Sequence, residues 1–254
     1  MELDTMTLER EGKVARLTLN RPDLLNAMNY QGTLDLNRAV ETVRDDPDAR
    51  MLVIRGAGRA FCTGIDLKQL SSGETPQEYY EQWDRALRTV ETMERFVICA
   101  IHGYALGGGL QLALASDIRI STSDCMIGLP AINESIVPGL STFRLPRYVG
   151  WGRAKWFILS GENVDGRSAH GMGLVDHVVE PDRLEDEVEA LIPRYLATCS
   201  EGARQSKVLL ALHADLSQPQ FFEEYLRRQR ICTSSSDHAE ARVAYGEGRP
   251  PKWG

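Results

Sequence analysis

Five cysteines, Cys62, Cys99, Cys125, Cys199 and Cys232, form no CxxC pair and keep no ligand-like spacing with the five histidines. That pattern excludes a structural zinc ribbon and argues against a disulfide framework, which points to a reducing compartment. No apolar run approaches the length of a membrane span, and the opening MELDTMTLEREGK has no apolar core of the kind a signal peptide carries. Positive charge is in deficit: 29 Lys and Arg face 36 Asp and Glu, for a formal net charge of −7. This balance disfavours nucleic acid and anionic membrane surfaces as partners, while leaving room for one local basic pocket. A soluble, cytoplasmic protein with neither a nucleic-acid nor a membrane partner is expected.

The 254 residues, 43% of them hydrophobic, are enough to bury a substantial core. Met6 to Asn20 reads as two short strands turning at Glu11-Gly12, and Gln31 to Asp45 as a helix with Leu36, Ala39, Val40 and Val43 on one face. Met51 to Arg55 and Val97 to Ile101 are short apolar strands, with a helix over Tyr79 to Met93 between them. Ile118 to Ser121 and Cys125 to Leu129 read as two more strands. After Pro138 the pattern is helical, with one strand at Leu174 to Val179. Strands alternating with helices predict an α/β core with parallel pairing. No repeat or linker divides the chain, so one core over residues 1–199 is expected, followed by a helical segment over residues 200–254.

Two glycine-rich turns stand at the C-terminal ends of apolar strands, where ligand crevices open in α/β sheets. GAGRAFCTG follows Met51 to Arg55, and Gly107 to Gly109 follow Val97 to Ile101. Backbone N–H groups from two such turns, aimed at one oxygen, make an oxyanion hole, and the free N–H groups at a helix N-terminus add to it. A dinucleotide fold is the competing reading. GAGRAF keeps only the first two glycines of G-x-G-x-x-G, and in the other turn Leu112 occupies the last position.

The particular residues add what spacing cannot. NRPDLLNAMN, GAGRAFCTGIDL, IHGYALGGGLQLALASDIRIS, IVPGLSTFRLPRYVG, GLVDHVVEPDRL and the tail SSSDHAEARVAYGEGRPPKW together resemble the enoyl-CoA hydratase/isomerase, or crotonase, superfamily over nearly the whole chain. The resemblance implies an α/β spiral of β-β-α turns with a C-terminal helical segment that builds trimers, often paired as hexamers. It implies an acyl-CoA thioester as ligand, with no permanently bound cofactor, no metal, and coenzyme A entering as part of the substrate. By motif position the two thioester-carbonyl donors fall on Ile65 and Gly108. The coenzyme A contacts fall on Leu24, Leu25, Ala60, Gly64 and the run Asp66, Leu67 and Lys68, with Lys252 of the tail near a phosphate. Lys68 reads equally as a solvated lysine starting a helix.

The chain departs from the family at the two positions where its hydratases carry water-activating glutamates. One is Gln111, which hydrogen-bonds but does not titrate near neutral pH; the other is Ala131, which does neither. Standard two-glutamate hydration is therefore not expected. Isomerisation or another single-base reaction through a thioester enolate is, with a non-catalytic acyl-CoA-binding protein and a weak hydratase as alternatives. If Ala131 to Glu134 is helical, Glu134 shares a face with Ala131 and reaches the volume left there; otherwise it stands in water at a turn. Asp66 and Asp117 read as structural carboxylates, His102 as packed or hydrogen-bonded at a strand end, and Cys62 as a small buried hydrophobe.

Overall fold

The computed structural model describes residues 3–73 and 75–253. β1 (Met6–Glu11) and β2 (Val14–Leu19) form the expected hairpin, paired antiparallel from Met6 opposite Leu19 to Glu11 opposite Val14. β3 (Met51–Gly56) adds parallel to β2, and β4 (Phe96–Ile101) parallel to β3. Beyond them come β5 (Tyr104–Leu106), β6 (Ile118–Thr122), β7 (Met126–Gly128), β8 (Asn163–Val164) and β9 (His177–Val179). The main sheet has the order β1-β2-β3-β4-β6-β9, and β5, β7 and β8 form a second, three-stranded sheet.

Parallel neighbours require crossovers, and helices supply them. α1 (Tyr30–Asp45) joins β2 to β3, with the Asn29 side chain capping it by accepting from Gly32 N–H. α2 (Leu67–Ser71) and α3 (Gln77–Thr92) join β3 to β4, and α4 (Gly108–Ala115) joins β5 to β6. α5 (Ser141–Ser160), broken at Gly150, α6 (Gly166–Met172) and α7 (Leu184–Leu196) follow. α8 (Glu201–Leu212), α9 (Gln218–Thr233) and α10 (Ser236–Glu247) make up the C-terminal helices. Among the described residues no helix is long and apolar enough to cross a membrane.

The middle strands are apolar on both faces, and both faces are covered. Leu52, Ile54, Val97, Cys99 and Ile101 point into one core with Leu36, Val40 and Leu87 of α1 and α3. Met51, Val53, Ile98 and Ala100 point the other way, onto Leu184, Val188, Leu191 and Ile192 of α7. Spacings of four, seven and eight residues set those α7 side chains in one stripe. Each such side chain fully buried contributes roughly 1.5–3 kcal/mol. Double coverage is why β3 and β4 read as unbroken apolar runs rather than alternating ones.

Two features differ from the sequence reading. β5 and β8, three and two residues long, were not anticipated, so the second sheet was missed. The last main-sheet strand is shorter than Leu174 to Val179. Leu174 N–H instead bonds the Ala169 carbonyl at the end of α6, and the Val175 carbonyl meets His170 Nδ1, so neither residue is free to join the ladder. Asp117 has the structural duty anticipated: it accepts from Val97 N–H at 2.7 Å and pairs with Lys207 of α8 at 2.8 Å. Burial raises its carboxyl pKa despite that lysine.

Candidate active site

After β3 the chain returns alongside β5. Phe61 N–H donates to the His102 carbonyl at 2.9 Å, Cys62 N–H to Tyr104 at 3.0 Å, and Leu106 N–H to Cys62 at 3.0 Å. This ladder sets the two glycine turns against each other. A carbon built on Gly64 would lie 2.9 Å from the Leu106 carbonyl oxygen and 3.0 Å from Gly108 N, closer than a side chain tolerates. Gly64 at φ +92° and Gly107 at φ +50° also hold left-handed backbone. Gly109 is required for contact alone, since an added carbon would collide with the Cys62 carbonyl oxygen.

The backbone accounting leaves two donors over. Met28 N–H donates to Gly64 at 2.7 Å and Asp66 N–H to Met28 at 2.9 Å, a parallel bridge that turns the N–H of Ile65 itself the opposite way. Gly108 is the first residue of α4, where N–H groups have no acceptor within the helix. Neither N–H bonds a carbonyl among the described residues, and both residues line one cavity of about 570 Å³.

Leu24, Asp66, Leu67, Lys68, Gln111 and Glu134 line the same cavity. Four other predicted contacts do not. Leu25 gives its carbonyl to Thr63 N–H, and Gly64 packs behind the glycine wall. Ala60 is fully buried, its carbonyl taken by Asn26 Nδ2 at 2.8 Å. Lys252 sits in the tail beside Glu240, where the neighbouring Trp253 indole is anchored to the Ala197 carbonyl. Within one chain it does not meet the cavity.

Three carboxylates line the wall, and they differ in their partners. Asp66 caps α2 by accepting from Lys68 N–H at 3.0 Å and pairs with Arg21 at 3.0 Å. Asp84 pairs with Arg144 at 3.1 Å. Glu134 is half-buried and has no ion-pair or hydrogen-bond partner for its carboxylate among the described residues. It ends a 3-10 turn over Pro130–Glu134, in which side chains three apart eclipse, so Glu134 follows Ala131 on the cavity face. Gln111, 7% exposed, accepts from the Trp83 indole N–H at 3.2 Å.

His102 Nε2 donates to the Gly58 carbonyl at 2.9 Å and is held at its strand end. Burial pushes the Cys62 thiol up to about 11. Sequence reasoning passed over Asn26, which organises the first loop. It is 2% exposed, stands at φ +56°, accepts from Arg21 N–H and donates to the Ala57 and Ala60 carbonyls. Asparagine tolerates left-handed backbone better than most residues, so an Asn just after the Pro22-Asp23 turn was a usable signal. The Trp83–Gln111 pair, 28 residues apart, left none.

The sequence model of the enoyl-CoA hydratase/isomerase family matches residues 9–254. A crotonyl-CoA hydratase of Syntrophomonas wolfei is 34% identical over 98% of this chain and 97% of its own length. An (E)-benzylidenesuccinyl-CoA hydratase of Thauera aromatica is 32% identical over 97% of each chain. Among solved structures, an enoyl-CoA hydratase from Bacillus anthracis superposes with a TM-score of 0.90 at 26% identity, covering 98% of this chain and 99% of that one.

Proposed function

Since the chain belongs to the enoyl-CoA hydratase/isomerase family, we propose that it is an acyl-CoA enzyme working through a thioester enolate with a single carboxylate base. The thioester oxygen would rest on the N–H groups of Ile65 and Gly108, which favour the charge that develops there. Glu134 would take a proton from C2 of a 3-enoyl thioester as the electron pair moves onto that oxygen. Returning the proton to C4 re-forms the carbonyl and leaves the double bond between C2 and C3. Coenzyme A enters as part of the substrate, with Leu24, Leu67 and Lys68 at hand on the cavity wall.

The observation that carries this reading is that Glu134 is the one cavity carboxylate without a partner among the described residues, beside an alanine and a glutamine that cannot titrate. A general base contributes typically 10²–10⁴-fold, so Glu134→Gln should lower isomerisation of 3-enoyl-CoA substrates by about that factor. Full activity in that variant would remove Glu134 from the role. Brisk hydration of crotonyl-CoA by the wild type would overturn the single-base reading. Binding without turnover on any 3-enoyl or 3-oxo thioester would favour an acyl-CoA-binding protein. Phe143, Trp151 and Leu159 of α5 are exposed apolar side chains, which suits assembly into a trimer or hexamer. A monomer mass by light scattering would count against it.

A further inference from the structure

One donor decides how the Gln111 side chain lies. The Trp83 indole N–H can only donate, and it meets Gln111 Oε1 at 3.2 Å. The amide carbonyl is therefore committed to Trp83, and the other end of the amide is the NH2 group. Turning the amide over would set donor against donor in a wall where Trp83 and Gln111 are 6% and 7% exposed. Gly139 closes the remaining side. A carbon built on it would lie 2.7 Å from Oε1 and 3.3 Å from Nε2, so that backbone rests directly on the amide. No acceptor among the described residues takes the NH2 hydrogens, and the group opens to the cavity rather than being sealed in the wall.

Gln111 stands three residues after Gly108 on α4, on the same face and roughly 5–6 Å along it. An acyl chain whose thioester oxygen rests on Gly108 carries C3, C4 and their substituents past this amide. From these observations we infer that Gln111 determines acyl specificity: it selects acyl groups with an sp² oxygen close to C3 or C4, as in a carbonyl or carboxylate substituent that leaves the C3–C4 double bond of an isomerisation substrate intact, over plain hydrocarbon chains. The inference rests on the acyl-CoA reading above. A hydrocarbon chain passing the NH2 strips it of water and returns no acceptor, whereas a carbonyl or carboxylate oxygen satisfies it. A glutamate at this position would give one oxygen to Trp83 and face the chain with another acceptor, so the selectivity depends on the amide.

The test is calorimetric affinity of the full chain for butyryl-, acetoacetyl- and succinyl-CoA. One hydrogen bond to a buried donor supports about a 10-fold preference for each oxygenated thioester over butyryl-CoA. Acetoacetyl-CoA also gains from its own enolate, so the decisive quantity is the change in each ratio between wild type and variant. Gln111→Leu should lower the ratio by about 10-fold. Gln111→Glu, nearly isosteric and able to keep the Trp83 bond, should lower it at least as far and turn succinyl-CoA below butyryl-CoA. Trp83→Phe, which frees the amide to turn over, should lower it partway. A loss confined to the acetoacetyl ratio assigns the oxo group, and one confined to the succinyl ratio assigns the carboxylate. Ratios unchanged in both Gln111 variants would overturn the inference while leaving the acyl-CoA reading intact. Failure of all three thioesters to bind wild type would overturn both.

Discussion

Gly108→Val tests the oxyanion wall at its narrowest point. A carbon at position 108 would meet Trp83 Cζ2 at 3.2 Å and Gly64 Cα at 3.4 Å. Those neighbours need yield only a few tenths of an ångström, and Gly108 carries no left-handed backbone, so Gly108→Ala should fold and bind. Valine adds two further carbons at a residue that lines the cavity, with Trp83 and Gly64 already against its Cβ, so they should intrude on the space in front of the 108 N–H. The thioester oxygen is then held away from one of its two donors. Losing one such donor costs roughly 2.7–4 kcal/mol, or about 10²–10³-fold. Replacing glycine in a helix recovers about 0.5–1 kcal/mol of chain entropy, so the valine variant should melt within a few degrees of wild type. The assay is the affinity of acetoacetyl-CoA together with the enolate absorbance of the bound ligand. Wild type should show the enolate band, alanine should retain most of it, and valine should lose both band and affinity. A folded valine variant with wild-type affinity and an intact enolate band would refute the placement of the oxyanion hole.

Restoring both glutamates should create hydration that neither restores alone. Gln111→Glu with Ala131→Glu should raise crotonyl-CoA hydration well beyond the sum of the single variants, and additive single effects would show that the two positions do not act as one unit. The buried thiols predict an alkaline limit. Cys62 and Cys125 rise from 9.0 to about 11 and about 12 through burial, so above pH 9 the unfolded chain loses thiol protons that the folded chain keeps. Denaturant stability should therefore be insensitive to these groups below pH 9 and decline from pH 9 toward 11, and Cys62→Ala should flatten part of that decline. A thiol reagent at pH 8 should reach Cys232, the half-buried cysteine, far faster than the four buried ones; prompt labelling of two or more in the folded protein would contradict this burial.

Elements whose pattern is repeated along the chain were readable, and those decided by one or two residues were not. The α1 and α3 faces recur over four turns each, and the double burial of β3 and β4 writes an apolar run that needs no partner to be seen. β5 is three residues wedged between glycines, and β8 is two; neither is long enough to show a period. The site divides along the same line. The glycine turns were legible because their requirement is on the backbone, and a residue that must stand at φ +92° or +50° announces it by its identity. Glu134 was reachable because its relation to Ala131 is local, three residues along one turn, although the turn is 3-10 rather than α. Lys252 could not be placed from its motif because its position depends on where a tail docks, and within one chain that is set by the Trp253 anchor and Glu240 rather than by the lysine. Gln111 shows where motif reading stops. The sequence says that glutamine stands three residues after the middle glycine; it cannot say which end of the amide faces the substrate. That orientation is imposed by an indole N–H on α3 and by backbone at Gly139, from two directions in the chain. A motif thus identifies the group at a site, while the chemistry follows from contacts the motif does not contain. A glutamine held by Trp83 is a donor, and the same glutamine held by a carboxylate would be an acceptor.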